Sequence, residues 1–217
     1  MTTADLVLYS YFRSSCSWRV RSALAWKNLN YEYEAVNLLK GEQLGDEYNS
    51  TASAPLVPTL KHGDVSIGQS IAIIEYLEEV FPERPLLPAN DPAKRALIRE
   101  IACMIGCDIQ PVQNLRVLKY VGAERKMDHG KHWISKGFEA LEKKLSLTAG
   151  KYCVGDSVTM ADMFLPAQVY NAKRFDVDMS AFPTITKVND ALSILDEFER
   201  SRPANQPDCP EDLRATC

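Results

Sequence analysis

The chain is predicted to fold as an α/β half followed by an all-helical half. Strand-like and helix-like patterns alternate over roughly the first eighty residues in the order β-α-β-α-β-β-α. Pro82, Pro85, Pro88 and Pro92 then deny the backbone regular hydrogen bonding, as in an interdomain linker. Beyond Pro92 only helical periodicity is found. The expected organisation is residues 1–81 as the α/β domain, 82–91 as linker and 92–217 as the helical domain.

Each element has a local reason. LVLYSYF, from Leu6 to Phe12, is short and β-branched or aromatic, and it stops where Ser14 and Ser15 offer side-chain caps to a helix. From Cys16 the residues Trp18, Val20, Ala23, Leu24 and Trp26 recur at helical spacing up to Asn28. Tyr31 to Leu39 alternates in places and reads as a second strand. Gly41 to Pro55 is polar and reads as a short helix with loops. Two strands flank a His62-Gly63-Asp64 turn, and a helix enters at Gln69-Ser70. In the second half, helices are expected over Ala93–Lys119, Lys126–Leu147, Ala161–Phe175 and near Ile185–Glu199. Thr159 and Asp162 form a T-x-x-D capping box at the third of these.

Composition bounds the function. With 46% apolar and 25% charged residues among 217, the chain is globular. A formal charge of -4 gives no long-range attraction for polyphosphate, so nucleic acid is not an expected partner. No apolar run is long enough to span a bilayer and the first residues lack a signal-peptide pattern, so no membrane association and a cytoplasmic location are expected. The six cysteines, Cys16, Cys103, Cys107, Cys153, Cys209 and Cys217, show no C-x-x-C pair and read as thiols of a reducing compartment. Cys103 and Cys107 would share a helix face as packing residues, and His129 and His132 lack a third ligand at suitable spacing, so no metal is expected.

The chemistry concentrates at Ser14-Ser15-Cys16. A helix N-terminus carries unpaired N–H groups and partial positive charge, so it stabilises an anion, and a hydroxyl there can donate to a thiolate and favour its ionised form. Helix capping alone accounts for the same serines. Arg13, Arg19 and Arg21 add positive charge around the first turn, which calls for something negative nearby, either a ligand or acidic residues at a domain or subunit face. Pro58 stands at the start of a strand. A cis bond there would turn the backbone of Val57 outward, towards an extended peptide-like ligand. Ser70 either caps its helix or presents its N–H and hydroxyl to a carboxylate.

These residues resemble the zeta class of glutathione transferases, which includes maleylacetoacetate isomerases. The resemblance covers nearly the whole chain. It rests on S-S-C-x-W-R-V-R at Ser14–Arg21, V-P-T-L at Val57–Leu60, Q-S-x-A-I-I-E-Y-L-E at Gln69–Glu78 and I-Q-P-x-Q-N-L at Ile109–Leu115. Y-C-V-G-D-x-V-T-M-A-D at Tyr152–Asp162 and Q-P-D-x-P-x-x-L-R-A at Gln206–Ala215 agree as well.

The resemblance implies a thioredoxin-like N-terminal domain, an all-α C-terminal domain, a homodimer and glutathione as cofactor. It gives Ser14 the thiolate-activating role and places Ser15 and Cys16 in the same catalytic set, Cys16 as an accessory to glutathione positioning. Ser17, Trp18 and Arg19 extend that contact. Gln43, Val57, Gln69 and Ser70 would hold the tripeptide, Val57 at its cysteinyl part and Gln69 with Ser70 at its γ-glutamyl end. From the helical half, Gln110, Asn114, Leu115 and Arg116 would complete the site. Arg13 and Arg174 would attract carboxylates of a small acidic substrate.

The activity so implied is cis–trans isomerisation of maleylacetoacetate to fumarylacetoacetate, in tyrosine and phenylalanine catabolism: thiolate addition, rotation, then elimination. Halide displacement from small α-halo acids would be a further activity. Two alternatives stand beside it. One is a thiol transferase in which Cys16 itself attacks mixed disulfides. The other is a non-catalytic transferase-like binding module.

Overall fold

The computed structural model describes residues 5–215. The chain forms two compact units: the described residues up to Pro85 together with those from Leu195 onward, and Leu86–Ile194.

The first unit is built on a four-stranded sheet in the order β2-β1-β3-β4. Strand β1 (Leu6–Ser10) pairs in parallel with β2 (Glu32–Ala35), Leu8 opposite Tyr33, and antiparallel with β3 (Thr59–His62), Leu8 opposite Leu60. Strand β4 (Val65–Gly68) closes a hairpin with β3 across the expected His62-Gly63-Asp64 turn. Leu6, Leu8 and Ser10 are buried on alternate positions of β1, as a half-covered strand requires. Helix α1 (Ser15–Trp26) joins the parallel strands, a connection that parallel pairing demands, and packs against α3 (Ser70–Val80). Between β2 and β3 run a 3-10 turn at Glu42–Leu44 and the one-turn helix α2 (Asp46–Asn49). The β-α-β-α-β-β-α order read from the sequence is therefore present.

The second unit is helical, with one departure from expectation. The continuous helix predicted over Ala93–Lys119 is divided into α4 (Pro92–Cys103), a π-helical stretch (Met104–Ile109), α5 (Gln110–Val112) and α6 (Leu115–Val121). Pro111 lacks an N–H, and the Asn114 side chain caps α6 by accepting from the Arg116 N–H at 3.2 Å, so the chain restarts there. Cys103 is half-buried and Cys107 exposed, so the pair does not form the buried packing face expected. Helix α7 (Lys126–Thr148) buries Ile134, Phe138, Leu141 and Leu145 on one stripe. Its Gly137 lets Ile109 approach so closely that a Cβ would stand 2.3 Å from Ile109 Cγ1. The capping box is present: Asp162 accepts from the Thr159 N–H at 2.7 Å and from the Cys153 N–H at 2.9 Å, ahead of α8 (Leu165–Arg174).

A second departure concerns the C-terminal end. The helix expected near Ile185–Glu199 is two, α9 (Pro183–Ser193) and α10 (Asp196–Ser201), and the division falls at the boundary between units. Helix α10, the turn Pro203–Asn205 and α11 (Glu211–Arg214) belong with the sheet, where α10 packs on α1. Residues 195–217 were assigned by sequence to the helical domain, yet their described part packs with the first. Cys217 lies outside the described residues. No described cysteine forms a disulfide, and no described helix is long and apolar enough to cross a membrane.

Candidate active site

Strand β1 ends at Ser10, and Tyr11, Phe12 and Arg13 turn the chain into α1. Ser14 is the N-cap, extended at φ -69° and ψ 117°, and its Oγ accepts from the Ser17 N–H at 3.2 Å. Its carbonyl takes the Trp18 N–H, while its own N–H is donated to Tyr11. Among the described residues, the N–H groups of Ser15 and Cys16 meet no acceptor. The helix thus presents two unspent donors and a positive dipole end beside a half-exposed hydroxyl, an arrangement that stabilises an anion.

The residues that follow support this end from beneath. Ser17 is fully buried, and Trp18 lies 8% exposed with its Nε1–H donated to Ser201 Oγ. Arg19 is 1% exposed and donates to Ser70 Oγ at 3.2 Å. The resemblance places these three at the ligand; their side chains are buried in the first unit. Arg21 is also buried, and its partners are oxygens of the fold rather than an acidic subunit face: Ser201 O, Ser10 Oγ, Tyr11 O and Phe12 O. Burial pushes its guanidinium pKa down. Arg13 is half-buried, with its guanidinium over the Phe12 ring.

Two further elements of the first unit carry open backbone groups. The Val57–Pro58 peptide is cis. The Val57 side chain packs into the cluster of Tyr11, Phe12, Val36, Tyr48 and Ala52, which ties β3 to the turn before Ser14. The Val57 N–H and C=O enter neither the β3 ladder nor a described turn. Helix α3 has no side-chain cap, since Gln69 is exposed and sits at φ 67°. A non-glycine residue in that left-handed region costs about 1–2 kcal/mol, strain of the sort that clusters at ligand sites. Arg19 brings positive charge to this uncapped end through Ser70. Gln43 is half-buried, and its Oε1 has no hydrogen-bond partner among the described residues.

In the helical unit, Gln110 is buried in α5, Asn114 caps α6, Leu115 is half-buried and Arg116 is exposed. Sequence reading passed over Gln113 and Gln168. Both are buried, and the Gln113 amide donates to Gln168 Oε1 at 3.3 Å, anchoring the break between α5 and α6. Arg174 is exposed at the end of α8, beside the Tyr170 and Phe175 rings and 3.4 Å from Asn171 Oδ1. Among the described residues no three metal-ligating side chains converge.

The donor set of the first unit suits an extended peptide with a thiolate and a carboxylate. Among the described residues, two N–H groups and a hydroxyl stand open at α1, an unpaired N–H and C=O at Val57, and a helix end without a side-chain cap at Ser70. Comparison with known proteins agrees. Residues 8–85 match the family model described as glutathione S-transferase, N-terminal domain. The chain is 54% identical over 216 residues to a maleylacetoacetate isomerase of Rattus norvegicus, spanning 99% of this chain and 100% of that one. A maleyl pyruvate isomerase, a bacterial zeta-class glutathione S-transferase in its holo structure, has a TM-score of 0.91 at 42% identity, covering 94% of this chain and 100% of that one. A maleylacetoacetate isomerase of Anaeromyxobacter dehalogenans, crystallised with GSH in its active site, has a TM-score of 0.86 at 40% identity over 94% and 98% of the two chains. The chain belongs to the glutathione transferase family, and within it to the zeta class. The fold class and the family expected from the sequence are both borne out.

Proposed function

We propose that the protein is a glutathione-dependent isomerase that converts maleylacetoacetate to fumarylacetoacetate, with transferase activity toward small α-halo acids. The observation that carries this is the Ser14 hydroxyl at the start of α1 with the Ser15 and Cys16 N–H groups open beside it. The chemistry glutathione supplies when bound is a thiolate able to add reversibly to a conjugated double bond and so free rotation about it.

The chain's own residues prepare that chemistry. Ser14 Oγ–H donates to the sulfur, and the positive end of α1 favours its ionised form. Val57 pairs its backbone with the cysteinyl part, while the uncapped end of α3 at Gln69 and Ser70, with Arg19 behind, receives the γ-glutamyl carboxylate. Gln43, Gln110 and Asn114 add polar contacts. Arg13, Arg116 and Arg174 are cations accessible to a dicarboxylate substrate. Ser17, Trp18 and Arg19 hold the site from below. The enzyme acts in the cytoplasm as a homodimer; free thiols at the described cysteines suit a reducing compartment, and the dimer is what the resemblance to the zeta class implies.

The test is an absorbance assay of purified protein with maleylacetoacetate. Isomerisation that needs glutathione only in catalytic amounts supports the reading. Turnover without glutathione, or consumption of one glutathione per substrate, overturns it.

A further inference from the structure

The turn that delivers Ser14 is held by a residue far along the chain. Three backbone groups of Tyr11 and Phe12, just ahead of Ser14, each have a partner. Tyr11 C=O accepts from the Ser14 N–H at 2.9 Å and from Arg21 Nη1 at 3.3 Å. Phe12 C=O accepts from Arg21 Nη2 at 2.9 Å. The Phe12 N–H donates to Asp208 Oδ2 at 2.9 Å. The other carboxylate oxygen of Asp208 accepts from Tyr33 OH at 2.6 Å. Tyr33 lies in β2, and burial holds its phenol well above the ordinary range, so it remains a donor.

Asp208 is itself fixed. It lies between Gln206, whose amide donates to Arg200 O and Arg202 O at 2.9 Å, and Cys209, whose side chain is buried in the cluster with Tyr11 and Phe12. Burial lowers the Arg21 pKa, and Tyr33, Tyr31 and, to a lesser degree, Asp208 oppose that shift. A carboxylate and a guanidinium therefore grip Phe12 from its N–H and its C=O sides.

We propose that Asp208 is a positioning residue for Ser14: its carboxylate, returned to the sheet by the C-terminal segment, sets the β1–α1 turn so that the Ser14 hydroxyl and the Ser15 and Cys16 N–H groups address one point. This deepens the glutathione reading of the site and rests on it. Charge-assisted hydrogen bonds are the stronger class, and a shift of the turn by a fraction of an ångström weakens the contact of a hydroxyl with a thiolate.

The test uses Asp208→Asn, which keeps size but removes the charge, and Asp208→Glu, which restores the carboxylate, with Ser14→Ala as reference. Three quantities are read: amide hydrogen exchange at Phe12 in the ligand-free protein, the pH titration of bound glutathione thiol by its ultraviolet thiolate absorbance, and kcat separately from KM for glutathione. Asp208→Asn should speed exchange at Phe12, lower the thiolate fraction and kcat about tenfold and leave KM nearly unchanged, as expected for a weakened charged hydrogen bond. Asp208→Glu should recover part of each loss. A folded Asp208→Asn protein with wild-type thiol titration overturns the proposal; should Asp208→Asn not fold, Tyr33→Phe, which strips Oδ1 of its donor, is read in its place with the same expected direction, and wild-type titration there overturns it. If Ser14→Ala also leaves the titration unchanged, the glutathione reading of the site fails with it; if only the Asp208 variants do, that reading stands and the positioning role falls.

Discussion

Ser14 caps α1 and, in the proposed function, also activates the thiolate; substitution can separate the two, because capping needs an acceptor and thiolate activation needs a donor. Its Oγ accepts from the Ser17 N–H at 3.2 Å, and replacing a serine cap by alanine costs about 1 kcal/mol. For a chain of this size that lowers Tm by about 2–4 °C. Loss of a hydrogen bond to a charged sulfur is worth about 1.5–3 kcal/mol, which is roughly a ten- to hundredfold fall in turnover. Ser14→Ala should show both effects. Ser14→Asp keeps an acceptor and adds negative charge where the helix dipole favours it, so its Tm should equal or exceed that of the parent. It cannot donate when ionised, and it repels the thiolate, so its turnover should be the lowest of the series. Ser14→Thr retains acceptor and donor and should keep both properties. Thermal unfolding followed by circular dichroism reads the first quantity, and the maleylacetoacetate assay at saturating glutathione reads the second. Turnover of Ser14→Asp within twofold of the parent would refute the assignment of a donor at this position.

Three other outcomes follow from the packing. Arg21→Met should cost on the order of 4 kcal/mol in urea unfolding, because the carbonyls of Tyr11, Phe12 and Ser201 lose a buried donor. Gly137→Ala should destabilise by about 1–3 kcal/mol despite the better helix propensity of alanine, since the new methyl meets Ile109. A double-mutant cycle with Ile109→Ala should then give a cost below the sum of the two single changes. The raised pKa of Tyr33 means that the folded chain holds this proton at alkaline pH where the unfolded chain releases it. Its contribution is full below the ordinary phenol pKa of about 10 and is lost as pH rises, so Tyr33→Phe should flatten the alkaline fall in stability by up to about 1.4 kcal/mol per pH unit.

The start of α1 was legible because capping is local: Ser14, Ser15 and the following apolar spacing lie within one turn of each other, and so do Thr159 and Asp162. The hairpin at His62-Gly63-Asp64 and the entry to α3 were legible for the same reason. The break at Gln113-Asn114 was not, since apolar spacing continues through it. The stop depends on the side chain of Asn114, on Pro111 and on a buried amide pair between Gln113 and Gln168, 55 residues apart.

By itself the sequence determined the alternation of elements, the signature around Ser14 and the family, all of which are written in short-range spacing and residue type. Tertiary structure alone decided what the arginines serve and where the tail goes. Arg21 finds carbonyl oxygens nine and ten residues back and a third 180 residues on, while the Phe12 N–H is matched to a carboxylate 196 residues away. A buried charge and a buried N–H must each find a partner, but residue type states only that need; which atom meets it depends on how the chain folds back upon itself.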